Sequence, residues 1–234
     1  MVGNKFTLKR GAKDEAEKPF WISFSDLMTA LMVLFLLVMS VELLQVITPP
    51  TDPRDEEINQ LLLQIEASAK VFPGVTVNRE RNVIDFGPQA LFDTNKHQLT
   101  PHQAEQLRKF VPKVLEVSES RLGKKWFKEV IVEGYTDKTG TYLFNLNLSL
   151  QRSQRVLCIL LGPAPVNEFP LTPEQQNQVR DLFVVGGYSF NSQKETLEES
   201  RRIELQLHFL RSGEEKKPTH SVPPGNFGYC AIGA

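Results

Sequence analysis

The chain has 234 residues, a formal charge of −1 and 41% hydrophobic residues. So balanced a charge excludes the broad basic field that nucleic-acid binding uses, and no direct nucleic-acid partner is expected. The only two cysteines, Cys158 and Cys230, form no CxxC and sit in no Cys/His cluster, which excludes a structural zinc site.

Residues 1–19 are polar and carry Lys5, Lys9, Arg10, Lys13 and Lys18. From Phe20 to Ile47 follows FWISFSDLMTALMVLFLLVMSVELLQVI, whose only charges are Asp26 and Glu42. A bilayer core takes about 20 apolar residues at 1.5 Å each, so a transmembrane helix is predicted over 20–47. A cleaved signal peptide fits less well, because its apolar region is about 7–15 residues long and ends in an A-x-A-like site that is missing here. Asp52, Asp55, Glu56 and Glu57 follow the span, opposed only by Arg54. The positive-inside rule puts residues 1–19 in the cytoplasm and everything after about residue 47 in the periplasm.

Asp26 lies about five residues inside the span, where a carboxylate costs a few kcal/mol. Ser23, Asp26, Thr29 and Ala30 recur at i, i+3 and i+4 and form one narrow polar face. Such an acid pairs helices, snorkels to the interface, or binds and releases a proton or cation in a channel. The stretch W-I-S-F-S-D-L-M-T-A-L-M-V-L-F-L-L-V-M resembles the transmembrane signature of MotB-type stator subunits. That resemblance implies that Asp26 carries the ion, H+ with Na+ as the alternative. It also implies a multi-span MotA/ZorA-like partner ring and a homodimer, since one helix cannot enclose an ion path.

Residues 48–74 read as a linker. Pro49, Pro50 and Pro53 end the membrane helix, and Ile58, Leu61, Leu62, Ile65 and Ala69 mark an amphipathic helix over about 55–70. That helix packs on its own domain or on a second copy. Residues 75–211 alternate strands and helices. Strands are predicted at 75–77, 83–86, 129–133, 182–188 and 203–209. Thr100, Pro101 and Gln103 make a capping box with Pro at N1, so a helix begins there. Pro112 argues for its kink or early end. A second helix is predicted over 146–161, and residues 162–181 read as an insertion. The fold class is α+β, a mixed sheet with helices on one face. Residues 212–234 form a Gly- and Pro-bearing tail. In an oxidising compartment Cys158 and Cys230 can pair and pin that tail to a helix; otherwise one is a buried thiol and the other a free one.

Two motifs stand in order after the third strand: G-Y-T-D-K-T-G at 134–140, then N-L-N-L-S-L-Q-R-S at 145–153. They resemble the peptidoglycan-binding pattern of OmpA-like domains, strand, G-x-T-D-x-x-G, then N-x-x-L-S-x-x-R-A. The resemblance covers roughly 80–210 and implies that Asp137 and Arg152 hold the diaminopimelate end of a wall peptide. Their chemistry is sensible alone. A zwitterion needs a carboxylate for its ammonium and a guanidinium for its carboxylate. Each residue also has a plainer reading, Asp137 as a turn residue and Arg152 as an ordinary surface arginine. Arg152 lies four residues after Leu148 and four before Val156, so it should border the buried helix face. Thr136 and Asn145 are expected to order the loop. The sequence departs from the pattern at Ser153, where Ala is common, and at Ser200-Arg201-Arg202, where N-R-R is common.

No phosphate-binding glycine loop or nucleophile elbow occurs, and the four histidines lack ligand spacing, so no enzyme activity and no bound cofactor are expected. Joined, the halves read as a wall-anchored inner-membrane stator subunit. The short linker and the S-F-S-D-L-M-T-A-L wording look closer to ZorB subunits of Zorya anti-phage systems. The alternatives are a flagellar MotB stator and a passive OmpA-like wall anchor of a secretion system.

Overall fold

The structure is a computed structural model and describes residues 14–47, 52–166, 168–216 and 227–232. The chain divides into two units, residues 1–52 and 53–234. The first holds one helix, α1 (Asp14–Ile47). It therefore starts six residues before the predicted span. The apolar stretch Ser23–Leu44 within it has a mean hydropathy of 2.5 and no buried residue. A helix apolar all round suits lipid rather than a soluble core.

The second unit opens with α2 (Pro53–Ala69), whose Ile58, Leu61, Leu62, Ile65 and Ala69 enter the same core as the sheet. The helix read as part of a linker is thus a wall of the domain, because its apolar stripe finds the core before it needs a second copy. Only residues 48–52 separate α1 from α2. Trp126 and Lys125 both donate to Glu57, and Arg54 donates to the Leu210 carbonyl at 2.9 Å, fastening the start of α2.

Five strands follow: β1 (Thr76–Asn78), β2 (Val83–Asp85), β3 (Phe127–Gly134), β4 (Phe183–Gly187) and β5 (Ile203–Phe209). Their order is β1-β2-β5-β3-β4, antiparallel except for the parallel pair β3–β4. Val130 and Val132, Leu205 and Leu207, and Ile84 face the helices, while Glu129, Glu133, Glu204 and Gln206 alternate onto the other face. The core lies between that inner face and α2, α3 (Pro101–Glu119), α5 (Tyr142–Leu161) and α6 (Pro173–Leu182).

Helix α3 begins at the Thr100 capping box but runs through Pro112 to Glu119. Proline removes one backbone bond, yet Leu107, Phe110, Val111, Val114 and Leu115 are all buried on the same stripe, and that packing outweighs the loss. A short α4 (Arg121–Trp126), capped by Ser120, fills the connection to β3. The predicted insertion contains α6, capped by Thr172 and Gln175. A last short turn, α7 (Leu197–Ser200), precedes β5. The tail returns to α5 through a Cys158–Cys230 disulfide with a Cα separation of 5.5 Å.

Since Leu61 is wholly buried, Leu61→Ala should cost about 2–5 kcal/mol in urea unfolding of residues 53–234. A loss within about 0.5 kcal/mol would mark α2 as a mere surface helix.

Candidate functional site

Helix α5 organises the site. Thr141 caps it, and Asn145, Leu148, Ser149, Arg152, Val156 and Leu160 form its buried stripe. The helix sits close to the sheet because Gly134 and Gly187 have no side chains. A Cβ on Gly134 would lie 2.0 Å from the Ser149 carbonyl oxygen, and one on Gly187 2.6 Å from Leu150 Cγ. Ser149 Oγ accepts from the Ser189 amide at 3.0 Å, and Ser189 Oγ donates to the Tyr142 carbonyl at 3.1 Å. These contacts lock the C-terminal ends of β3 and β4 to the first turns of α5.

The loop after β3 carries Thr136 and Asp137. Asp137 is 5% exposed, and both carboxylate oxygens are engaged. Oδ1 accepts from the Thr139 amide at 2.8 Å, and Oδ2 from Arg201 Nη1 at 3.0 Å. Burial alone would raise its pKa, but the Thr139 amide and the Arg201 guanidinium outweigh that and hold the carboxyl below the usual carboxylate range. Asn145 Nδ2 donates to the Thr139 carbonyl at 2.9 Å, so it braces the loop from α5. Thr136 is buried too. Its amide donates to the Ser189 carbonyl, whereas its Oγ1 has no hydrogen-bond partner among the described residues.

Arg152 is wholly buried, which goes further than the border position its spacing predicts. Its Nε donates to the Lys96 carbonyl at 3.0 Å, Nη1 to the Tyr135 carbonyl at 2.7 Å and Nη2 to the Asp93 carbonyl at 3.2 Å. The guanidinium lies 4.8 Å over the Phe92 ring. Burial pulls its pKa down to about 10, with nearby Asp137 opposing and Arg201 adding to the effect. Arg152 is therefore the pin that ties the 92–96 loop and the end of β3 to α5.

The sequence reading missed Arg201. It donates through Nε to the Phe92 carbonyl at 3.0 Å and through Nη1 to Asp137, and its side chain is 13% exposed. The signal was the Ser200-Arg201-Arg202 triplet, whose place beside Asp137 depends on β5 neighbouring β3. A second buried polar group adjoins it. Tyr135 Oη donates to Glu133 Oε2 at 2.7 Å, and Arg202 Nε donates to Glu204 Oε1 at 2.7 Å. Arg202 also lies 4.3 Å over the Tyr135 ring, which stacks on Tyr188. Burial, reinforced by Glu133, pushes the Tyr188 hydroxyl up to about 12.

In α1, Asp26 and Ser23 are exposed in the isolated chain. Thr29 Oγ1 turns back onto its own helix, to the Asp26 carbonyl at 2.8 Å and the Ser25 carbonyl at 3.0 Å. The carboxyl of Asp26 is thus the distinctive polar group of that face.

Residues 7–46 match the model of the family described as membrane MotB of the proton-channel complex MotA/MotB. Zorya protein ZorB of Escherichia coli O139:H28 (strain E24377A / ETEC) is 44% identical over 233 residues, covering 96% of this chain and 95% of that protein. The putative MotB-like protein of Desulfovibrio vulgaris superposes with a TM-score of 0.40 at 18% identity, over 66% of this chain and 95% of its own. The cell wall anchor of the Pseudomonas aeruginosa T6SS gives 0.39 at 18% identity, over 63% and 96%.

Because the folded Asp137 titrates below its unfolded value, its stabilisation is complete above about pH 4 and is lost as pH falls through the folded pKa. Asp137→Asn should therefore show a shallower fall in urea stability between about pH 5 and pH 2 than the wild type. Equal slopes would remove Asp137 from the acid-sensitive groups.

Proposed function

The chain belongs to the ZorB family, and on that premise we propose that it is the wall-anchored stator-type subunit of an ion-driven membrane motor serving anti-phage defence. The observation that carries this reading is the pairing, in one chain, of an acid inside an apolar helix with a largely buried cluster of both charge signs, Asp137 with Arg201 and Arg152, in the following domain.

Asp26 is the ion-carrying group, with H+ as the ion and Na+ as the alternative. An acid placed inside an otherwise apolar span is a functional group by default. A single helix cannot surround an ion path, so the path needs a multi-span MotA/ZorA-like ring and a second copy of this chain. The cationic residues before the span support a cytoplasmic N-terminus. The Cys158–Cys230 disulfide supports the same orientation, since such bonds persist in the oxidising periplasm.

The domain binds peptidoglycan through a zwitterionic group, the diaminopimelate of a stem peptide. Asp137 receives the ammonium, backed by the Thr136 hydroxyl, which has spare hydrogen-bonding capacity. The ligand carboxylate lies toward the Arg201 and Arg152 side, with Arg201 the more accessible of the two. Asn145 holds the loop rather than the ligand. With its wall domain fixed, the subunit stands still while the ring turns as ions cross.

Asp26→Asn should abolish protection against phage in cells carrying the native operon, while membrane insertion and sacculus binding persist. Unaltered protection would remove the ion-carrying role, and loss of swimming instead would assign the subunit to a flagellum. Asp137→Ala should abolish co-sedimentation with purified sacculi while the domain stays folded. Retained sedimentation would sink the wall site.

A further inference from the structure

The last described segment, residues 227–232, is held against the domain at three points. Cys230 is bonded to Cys158 on α5, at a sequence separation of 72. The Ile232 carbonyl accepts from Arg155 Nη2 at 3.3 Å and, when His97 carries its proton on Nε2, from that nitrogen at 3.3 Å; with the proton on Nδ1, Nε2 accepts instead from Gln98 Nε2 at 3.3 Å. Arg155 is itself buried, with its Nε unpartnered among the described residues.

His97 follows Lys96, whose carbonyl accepts from Arg152. The loop is thus gripped from both sides, by Arg152 from within and by the tail from without. The same loop supplies the Asp93 carbonyl to Arg152, and Phe92 offers its carbonyl to Arg201 and its ring to Arg152. Asn95 has a φ of 58°, a conformation few non-glycine residues hold unless their surroundings impose it. A shift of this loop therefore moves both cations relative to Asp137, and a binding site loses affinity when its supporting shell slackens by about 1 Å.

We infer that the stapled tail 227–232 is a positioning element of the wall-binding site, with His97 the residue through which it sets the 92–97 loop. The inference rests on the wall-binding reading proposed above. The disulfide returns the tail to α5, the helix that also bears Arg152, so loop, tail and helix form a closed circuit around the site. Neither His97 nor the tail touches the ligand; each acts through the carbonyls that aim Arg152 and Arg201.

The test is binding of a soluble disaccharide-tripeptide muropeptide ending in meso-diaminopimelate to the full chain in nanodiscs, with melting temperature recorded in parallel. Measured well below their melting points, His97→Ala and the double variant Cys158→Ser/Cys230→Ser should each bind about five- to tenfold more weakly, the scale of one lost hydrogen bond. His97→Gln, which keeps a donor for the Ile232 carbonyl, should bind as the wild type does. Lower melting temperatures with unchanged affinity would overturn the inference, leaving the tail as a stabilising strap. Failure of the wild type itself to bind the muropeptide would overturn the wall-binding reading, and the inference with it.

Discussion

A guanidinium removed from water must find acceptors for its N–H groups, and in this domain the buried Arg152 finds three backbone carbonyls on two separate segments. That requirement shapes everything near it. The 92–96 loop curls around the charge, β3 ends with its Tyr135 carbonyl aimed at it, and α5 comes close enough that Gly134 and Gly187 tolerate no side chain. Asp137, on the adjoining loop, then has a neighbouring positive field and a direct partner in Arg201. Burying one charge well has assembled a cluster of two signs.

The membrane segment meets the opposite constraint. Asp26 sits where water is scarce, and Thr29 beside it spends its hydroxyl on its own helix. On the proposed reading, the partner for that carboxyl comes from another helix or from the ion that crosses. The spacer of residues 48–52 is short because α2 is committed to the domain core through Leu61 and Ile65.

Local signals specify some elements, and tertiary packing overrides others. Thr100-Pro101-His102-Gln103 announced α3 through its cap. Thr172-Pro173-Glu174-Gln175 has the same pattern and starts α6, yet it stood inside a Pro-rich stretch that reads as an insertion. Pro112 was given too much weight, because propensity is local while the stripe of Phe110, Val111, Val114 and Leu115 is stabilised by the whole core. The period of α5 did place Arg152 at the edge of the buried face, but periodicity cannot say how deep that edge lies.

The sequence by itself determined what depends on near neighbours along the chain: an apolar span with an acid inside it, the charge bias across it, the caps, the alternating strands and the T-D loop ahead of α5. Tertiary structure alone decided what depends on distant segments meeting. Strand order brought Arg201 to Asp137, 64 residues away, and Glu133 beside Glu204. Folding also set α2 into the core and joined Cys158 to Cys230 across 72 residues. Hydropathy and spacing record which residues avoid water, whereas the partner that lets a buried charge do so is chosen only when the sheet closes.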